Sequence, residues 1–160
     1  VVTGDIGCYT LGALPPLSAM DTCIDMGASV SMSHGFELAW AGTEHRPVVA
    51  VIGDSTFTHS GMTGLLDAVN CKSDIVIIIS DNLTTGMTGG QDSAGTGRIE
   101  SICLGIGVEP EHVRTVVPLP KNKAEMEDVI RQEINYHGVS VIVPRRECIQ
   151  TARRHAKQTK

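Results

Sequence analysis

Gly53-Asp54-Ser55 is followed, 28 positions after Asp54, by Asn82 in the run Asn82-Leu83-Thr84-Thr85-Gly86-Met87-Thr88-Gly89-Gly90-Gln91. An ionised carboxylate, a side-chain amide oxygen and a nearby main-chain carbonyl are oxygen donors suited to magnesium, which fills its remaining positions with water and phosphate oxygens. The ligand implied by that chemistry is a diphosphate. Helix N-terminal amides near Ser55 and Thr56, together with the glycine loop Gly86 to Gly90, offer further donors to such an anion.

This chemistry requires Asp54 and Asn82 to stand side by side. The apolar run Pro47-Val48-Val49-Ala50-Val51-Ile52 stops at Gly53-Asp54, and Asp74-Ile75-Val76-Ile77-Ile78-Ile79-Ser80 stops at Asp81-Asn82, as buried parallel strands do. Residues 56–71 between them read as a helix. Such a strand-helix-strand unit sets both strand ends on one edge of a sheet, where open α/β folds bind ligands. Further strands are expected near 1–3, 113–117 and 139–143, and further helices near 27–42, 97–105 and 122–137. The alternation predicts an α/β fold, a mostly parallel sheet with helices on both faces.

Gly4-Asp5-Ile6-Gly7-Cys8, Met26-Gly27-Ala28-Ser29, Gly53-Asp54-Ser55-Thr56 and Thr85-Gly86-Met87-Thr88-Gly89-Gly90-Gln91 occur in that order. Together they resemble the thiamine diphosphate-binding domain of the 2-oxoacid:ferredoxin oxidoreductases, of the diphosphate-binding type, over about residues 1–145. A Gly-Asp with a distant Asn recurs by chance in α/β proteins, whereas four ordered motifs in one short chain are specific. Ser55 stands where the wider thiamine family usually has a second glycine. The indolepyruvate branch accepts serine there, so the resemblance is closest to the alpha subunit of that branch.

The resemblance implies that Gly4, Asp5, Ile6, Gly7, Cys8, Met26, Gly27, Gly53, Asp54, Ser55, Thr56, Asn82, Thr84, Thr85, Gly86 and Met87 hold thiamine diphosphate. It further implies that Asp54, Asn82 and the main-chain carbonyl of Thr84 ligate Mg2+. The implied reaction is oxidative decarboxylation of an aryl 2-oxoacid such as indolepyruvate, with coenzyme A taking the acyl group and ferredoxin the electrons. The activating glutamate is expected from a separate pyrimidine-binding domain, and the iron–sulfur clusters from other domains or a beta subunit. This chain alone should therefore be catalytically incomplete, and the resemblance implies an oligomer. Because it opens inside a strand without a methionine, it reads as a fragment or excised domain. The rival readings are another 2-oxoacid:ferredoxin oxidoreductase, a thiamine-dependent decarboxylase subunit, or a non-catalytic thiamine-fold assembly module. A magnesium-nucleotide binder lacks support, since no Gly-x-x-x-x-Gly-Lys-Ser/Thr loop is present.

The 160 residues amount to about one domain. A net charge of −5 with 41% hydrophobic residues suggests neither a nucleic-acid nor a membrane partner. Five cysteines without a Cys-x-x-Cys pair indicate neither a zinc site nor a cluster by motif, and their odd number argues against a disulfide framework, so a reducing cytoplasm is the expected compartment. Residues 146–160 read as a basic C-terminal tail or a connection to a further segment. Beginning at Arg145, that end carries six basic groups, among them Arg153, Arg154, Lys157 and Lys160, against Glu147 alone. It is either a docking element or a solvated terminal helix.

Each candidate also has a plainer explanation. Asp54 suits a helix N-cap, Asn82 a turn, and Gly4-Asp5 a tight turn. Cys8 suits simple packing, and the small residues after Met26 suit helix-to-sheet contact. His34 and His59 read as surface or core histidines, and Met20, Met26, Met32, Met62 and Met87 receive no substrate role.

Overall fold

A computed structural model of the chain describes residues 1–43 and 46–158. The strands are β1 (Val2–Gly4), β2 (Thr22–Cys23), β3 (Val49–Gly53), β4 (Ile75–Ser80), β5 (Val113–Val116) and β6 (Val139–Pro144). They form one sheet in the order β2-β1-β3-β4-β6-β5, and every pairing is parallel. The helices are α1 (Ala28–Trp40), α2 (Asp54–Thr56), α3 (Met62–Cys71), α4 (Ile99–Ile106), α5 (Lys123–Ile134) and α6 (Ile149–Gln158).

The central strands β3 and β4 are continuous apolar runs because both of their faces are covered. Val48 just before β3 and Ala50 and Ile52 within it, with Ile75, Ile77 and Ile79 of β4, share one core with Val30 of α1, Leu65 of α3 and Cys103 of α4. The alternate residues Val49, Val76 and Ile142 point the other way, onto Val129 and the half-buried Met126 and Ile130 of α5. The expected α/β architecture is thus present, with a sheet that is wholly parallel.

The differences from expectation are local. The helix foreseen over 56–71 starts at Asp54, and its segment Phe57–Gly61 is a π-turn between α2 and α3. Gly61 lies there against Ile52, where a Cβ would stand 2.7 Å from Ile52 Cδ1. The helix foreseen near 97–105 begins at Ile99, after a turn closed by the Arg98 amide on the Gly95 carbonyl at 2.9 Å. Neither the two-residue strand β2 nor the 3-10 turn Cys8–Ala13 was foreshadowed by periodicity. The basic C-terminal segment contains α6, and Lys160 lies outside the described residues.

Candidate functional site

β1, β3 and β4 end together on one edge of the sheet. In register, Gly4 pairs with Val51 and Gly53 with Ser80, so Asp54 and Asp81-Asn82 leave neighbouring strands at the same level. The chain passes from β1 outward to β2 and returns to β3 on the other side of β1, which opens a crevice at this edge. A cavity of about 220 Å³ lies there.

Ile6, Gly7, Cys8 and Met26 line one side of the cavity, Gly53, Asp54, Ser55 and Thr56 its floor, and Asn82, Thr84, Thr85, Gly86 and Met87 the opposite side. Gly4, Asp5 and Gly27 stand behind this wall rather than in it. Gly4 lies within β1, where a Cβ would meet Met20 Sδ at 2.5 Å. Both carboxylate oxygens of the fully buried Asp5 turn to the start of α1, accepting the Gly27 amide at 2.9 Å and the Ser29 amide at 2.6 Å. Gly27 has a φ of +99°, and a Cβ on it would collide with Ser60, so glycine is required there. These three residues position the wall that Met26 presents to the cavity.

Asp54 differs from Asp5 in one respect that bears on chemistry. It is 3% exposed, yet its Oδ2 has no hydrogen-bond partner. Burial pushes its carboxyl above the usual range, while the Ser55 backbone amide pulls the other way. A buried carboxylate oxygen without a donor is costly, and a cation bound at that oxygen would compensate it.

The segment after β4 is fixed by its own polar groups. The amide of Leu83 donates to Asp81 Oδ1 and that of Thr84 to Asn82 Oδ1, each at 3.1 Å, and Leu83 takes the left-handed φ of +62°. Such a backbone in a non-glycine residue persists only where its surroundings enforce it. The Thr85 amide donates to the Gln91 carbonyl at 2.8 Å and the Thr84 hydroxyl to the same oxygen at 2.9 Å, closing the glycine loop on itself. The Ser55 and Thr85 hydroxyls lie 2.9 Å apart, joining the two sides of the site. Asp54, the Asn82 amide oxygen and the Thr84 main chain therefore offer an oxygen set able to take a hard cation.

Several residues at this site had no signal in the spacing of motifs. Tyr9, Ser80 and Thr88 also line the cavity. The Tyr9 hydroxyl is buried without a partner, and burial followed by the charge of Asp5 raises its pKa. The C-terminal segment is part of the same construction. The Arg146 amide donates to the Asp81 carbonyl and the Cys148 amide to the Asn82 carbonyl, both at 3.0 Å, while Arg154 Nη1 donates to the Gly89 carbonyl at 2.6 Å. A Cβ on Gly86 would stand 3.6 Å from Cys8 Sγ and 4.0 Å from Cys148 Sγ. The Cys148 thiol is held below its ordinary pKa chiefly by the Thr151 amide in the first turn of α6. Neither His34 nor His59 lines the cavity.

Residues 5–143 match the family described as thiamine pyrophosphate enzyme, C-terminal TPP binding domain. The chain is 44% identical over 155 residues to indolepyruvate oxidoreductase subunit IorA of Archaeoglobus fulgidus, covering 90% of this chain and 24% of that protein. To the protein of the same name from Pyrococcus horikoshii it is 37% identical over 182 residues, covering 99% and 28%. It spans about a quarter of the length of the curated relatives it matches. Among solved structures, 2-oxoglutarate:ferredoxin oxidoreductase from Magnetococcus marinus superposes with a TM-score of 0.73 at 17% identity, covering 92% of this chain and 54% of that one. Benzoylformate decarboxylase from Polynucleobacter necessarius gives 0.63 at 19% identity, covering 92% and 30%. At these identities the two structures speak for the fold.

Proposed function

This chain belongs to the thiamine pyrophosphate enzymes, as a C-terminal thiamine pyrophosphate binding domain, and from that premise we propose that it holds the diphosphate of thiamine diphosphate through Mg2+ at Asp54, Asn82 and the Thr84 main-chain carbonyl. The observation that carries this reading is the buried, unpartnered Asp54 Oδ2 beside the end of β4. An oxygen-rich set at adjacent strand ends fits magnesium, which keeps phosphate oxygens and water in its remaining positions. Amides near Ser55 and Thr56, with the loop from Thr85 to Met87, receive the anion from either side. Ile6, Gly7, Cys8 and Met26 form the wall against the rest of the cofactor. Gly4, Asp5 and Gly27 act through that wall.

The parent activity we propose is oxidative decarboxylation of an aryl 2-oxoacid of the indolepyruvate type, supported by the names of the relatives at 37–44% identity. Thiamine diphosphate supplies the electron sink for cleaving the bond between carboxylate and carbonyl carbon. The part of this chain is to bind and orient the cofactor. Coenzyme A as acyl acceptor and ferredoxin as electron acceptor belong to the same reading, and the iron–sulfur clusters are assigned to other domains or subunits. Leu11, Leu14, Leu17, Ile24, Met26 and Met87 are exposed large apolar residues. They support docking of a pyrimidine-binding domain that brings the activating glutamate and covers the site. In this reading residues 1–145 are the binding domain and 146–160 a connection that also braces the glycine loop.

Calorimetric titration of thiamine diphosphate into the full-length protein, with Mg2+ and with a chelator, tests the proposal against Asp54→Ala. Binding that requires Mg2+ and disappears in the variant is the expected result. Equal binding in the variant would remove Asp54 from the site, and binding independent of Mg2+ would remove the metal.

A further inference from the structure

A second cluster of ligating atoms lies between α1 and α3, at the opposite end of β4. His34, Asp67 and Cys71 place one imidazole nitrogen, one carboxylate oxygen and one sulfur all within 4.8 Å of one another. Asp67 and Cys71 are one turn apart on α3 and so share a face. His34 reaches them from α1, with Nε2 3.6 Å from Asp67 Oδ2. Cys71 ends α3, and Ser73 lies just before β4, whereas Asn82 follows the other end of that strand.

We propose that His34 Nε2, Asp67 and the Cys71 thiolate bind a divalent transition-metal ion of the zinc class, fastening α1 to α3. Imidazole, thiolate and carboxylate are the donors such an ion selects, with bonds of about 2.0–2.3 Å. Tetrahedral coordination at those lengths sets ligand atoms about 3.3–3.8 Å apart, and the His34–Asp67 separation falls within that span. Asp67 and Cys71 are both exposed, so their side chains can close the remaining distance. The fourth position faces solvent.

The orientation of the histidine is an independent observation in favour of the site. His34 is 7% exposed, and its other ring nitrogen, Nδ1, lies 2.5 Å from Ser73 Oγ. Glu37 Oε2, buried and without a hydrogen-bond partner, stands 3.9 Å from the same Nδ1. The contact with Ser73 fixes the ring through its second nitrogen, which is the usual support of a metal-ligating histidine. This leaves Nε2 facing Asp67, and in the Nδ1-protonated tautomer, which metal binding would select, Nδ1 donates to Ser73 Oγ and the Nε2 lone pair is free for the ion. Because the three ligands come from two helices separated by β3, no short cysteine motif announces them.

Binding would convert the Cys71 thiol to a metal-held thiolate and release its proton. Its alkylation is therefore the readout, followed by peptide mass spectrometry on the full-length protein so that Cys71 is resolved from every other thiol. Zinc ion should slow labelling of Cys71 about tenfold or more, and a chelator should restore it. His34→Gln and Asp67→Asn should each abolish the protection, with the buried Cys103 remaining unlabelled as the control for folding. Ser73→Ala keeps all three ligands and should weaken zinc affinity about tenfold. Absence of protection in the parent protein, or protection that survives in both ligand variants, would overturn the proposal.

Discussion

The hydroxyls of Ser55 and Thr85 meet at 2.9 Å, so the turn after β3 and the loop after β4 are tied directly across the candidate site. Ser55→Ala should remove that tie without disturbing the core. A hydrogen bond of this kind is worth about 1 kcal/mol, or about fivefold in affinity. Titration of thiamine diphosphate should show that weakening, and Thr85→Val should reproduce it. If the two losses add fully in the double variant, the hydroxyls do not act as a pair.

Asp5 and Asp54 are two buried carboxylates with opposite expected responses to the same substitution. In Asp5→Asn, a single carbonyl must replace two oxygens that receive the Gly27 and Ser29 amides. Unfolding measurements should show a loss on the order of 1–3 kcal/mol. Asp54→Asn removes a desolvated charge whose Oδ2 has no donor, and without cofactor the variant should be at least as stable as the parent. A large loss of stability in Asp54→Asn would show that the carboxylate already has a partner.

The raised pKa of Asp54 also sets a pH dependence. Its folded value lies above the ordinary 3.8, so without a cation its contribution to stability falls as the pH rises from below that value through the folded one. A bound cation favours the ionised form and reverses this cost. Magnesium should therefore raise the melting temperature more at neutral pH than near pH 4, and Asp54→Asn should abolish the difference. An equal magnesium effect at both values would place the ion elsewhere.

Arg145 leads to the opposite sign. Its Nε donates to Asp81 Oδ2 at 2.6 Å and its Nη2 to Glu100 Oε2 at 2.8 Å, linking the segments just after β6 and β4 to α4. The Arg145 guanidinium holds the Glu100 carboxyl down at about 2 against an ordinary 4.5. The resulting stabilisation is present above pH 4.5 and is lost as the pH falls toward 2. The Glu100 side chain is still 31% exposed, so solvent screening keeps the effect modest. In acid titrations followed by circular dichroism, Glu100→Gln should flatten stability across that window, and an unchanged profile would refute the assignment.

Gly27→Ala should cost more than an ordinary surface substitution, because it combines a φ of +99° with a collision at Ser60. A loss on the order of 1–3 kcal/mol is expected from unfolding curves. Ser60→Gly in the same chain should recover the collision but not the backbone strain.

β3 and β4 were legible because strands covered on both faces are written as unbroken apolar runs, each ending in a polar turn. That Asp54 and Asn82 emerge side by side follows once the helix between the runs makes them a strand-helix-strand unit. The role of Asp5 was not legible, since nothing in Gly4-Asp5-Ile6-Gly7 shows that both carboxylate oxygens turn to α1. The π-turn at Phe57–Gly61 is likewise hidden, because its residues keep a helical pattern while the packing of Gly61 on Ile52 shifts the backbone. The engagement of Arg145 and Cys148 with the segment after β4 depends on β6 lying beside β4, a neighbour relation that no local pattern encodes.

The outermost strands of the sheet, β2 and β5, have only two and four residues. Each margin offers too little free backbone to template a further strand. In the reading proposed above, edges this short disfavour lengthening the sheet into a shared one, and a partner module is expected to meet the crevice mouth through side chains. Association of that kind would leave both modules folded when they part, so the proposed cleft could open and close without unravelling either side.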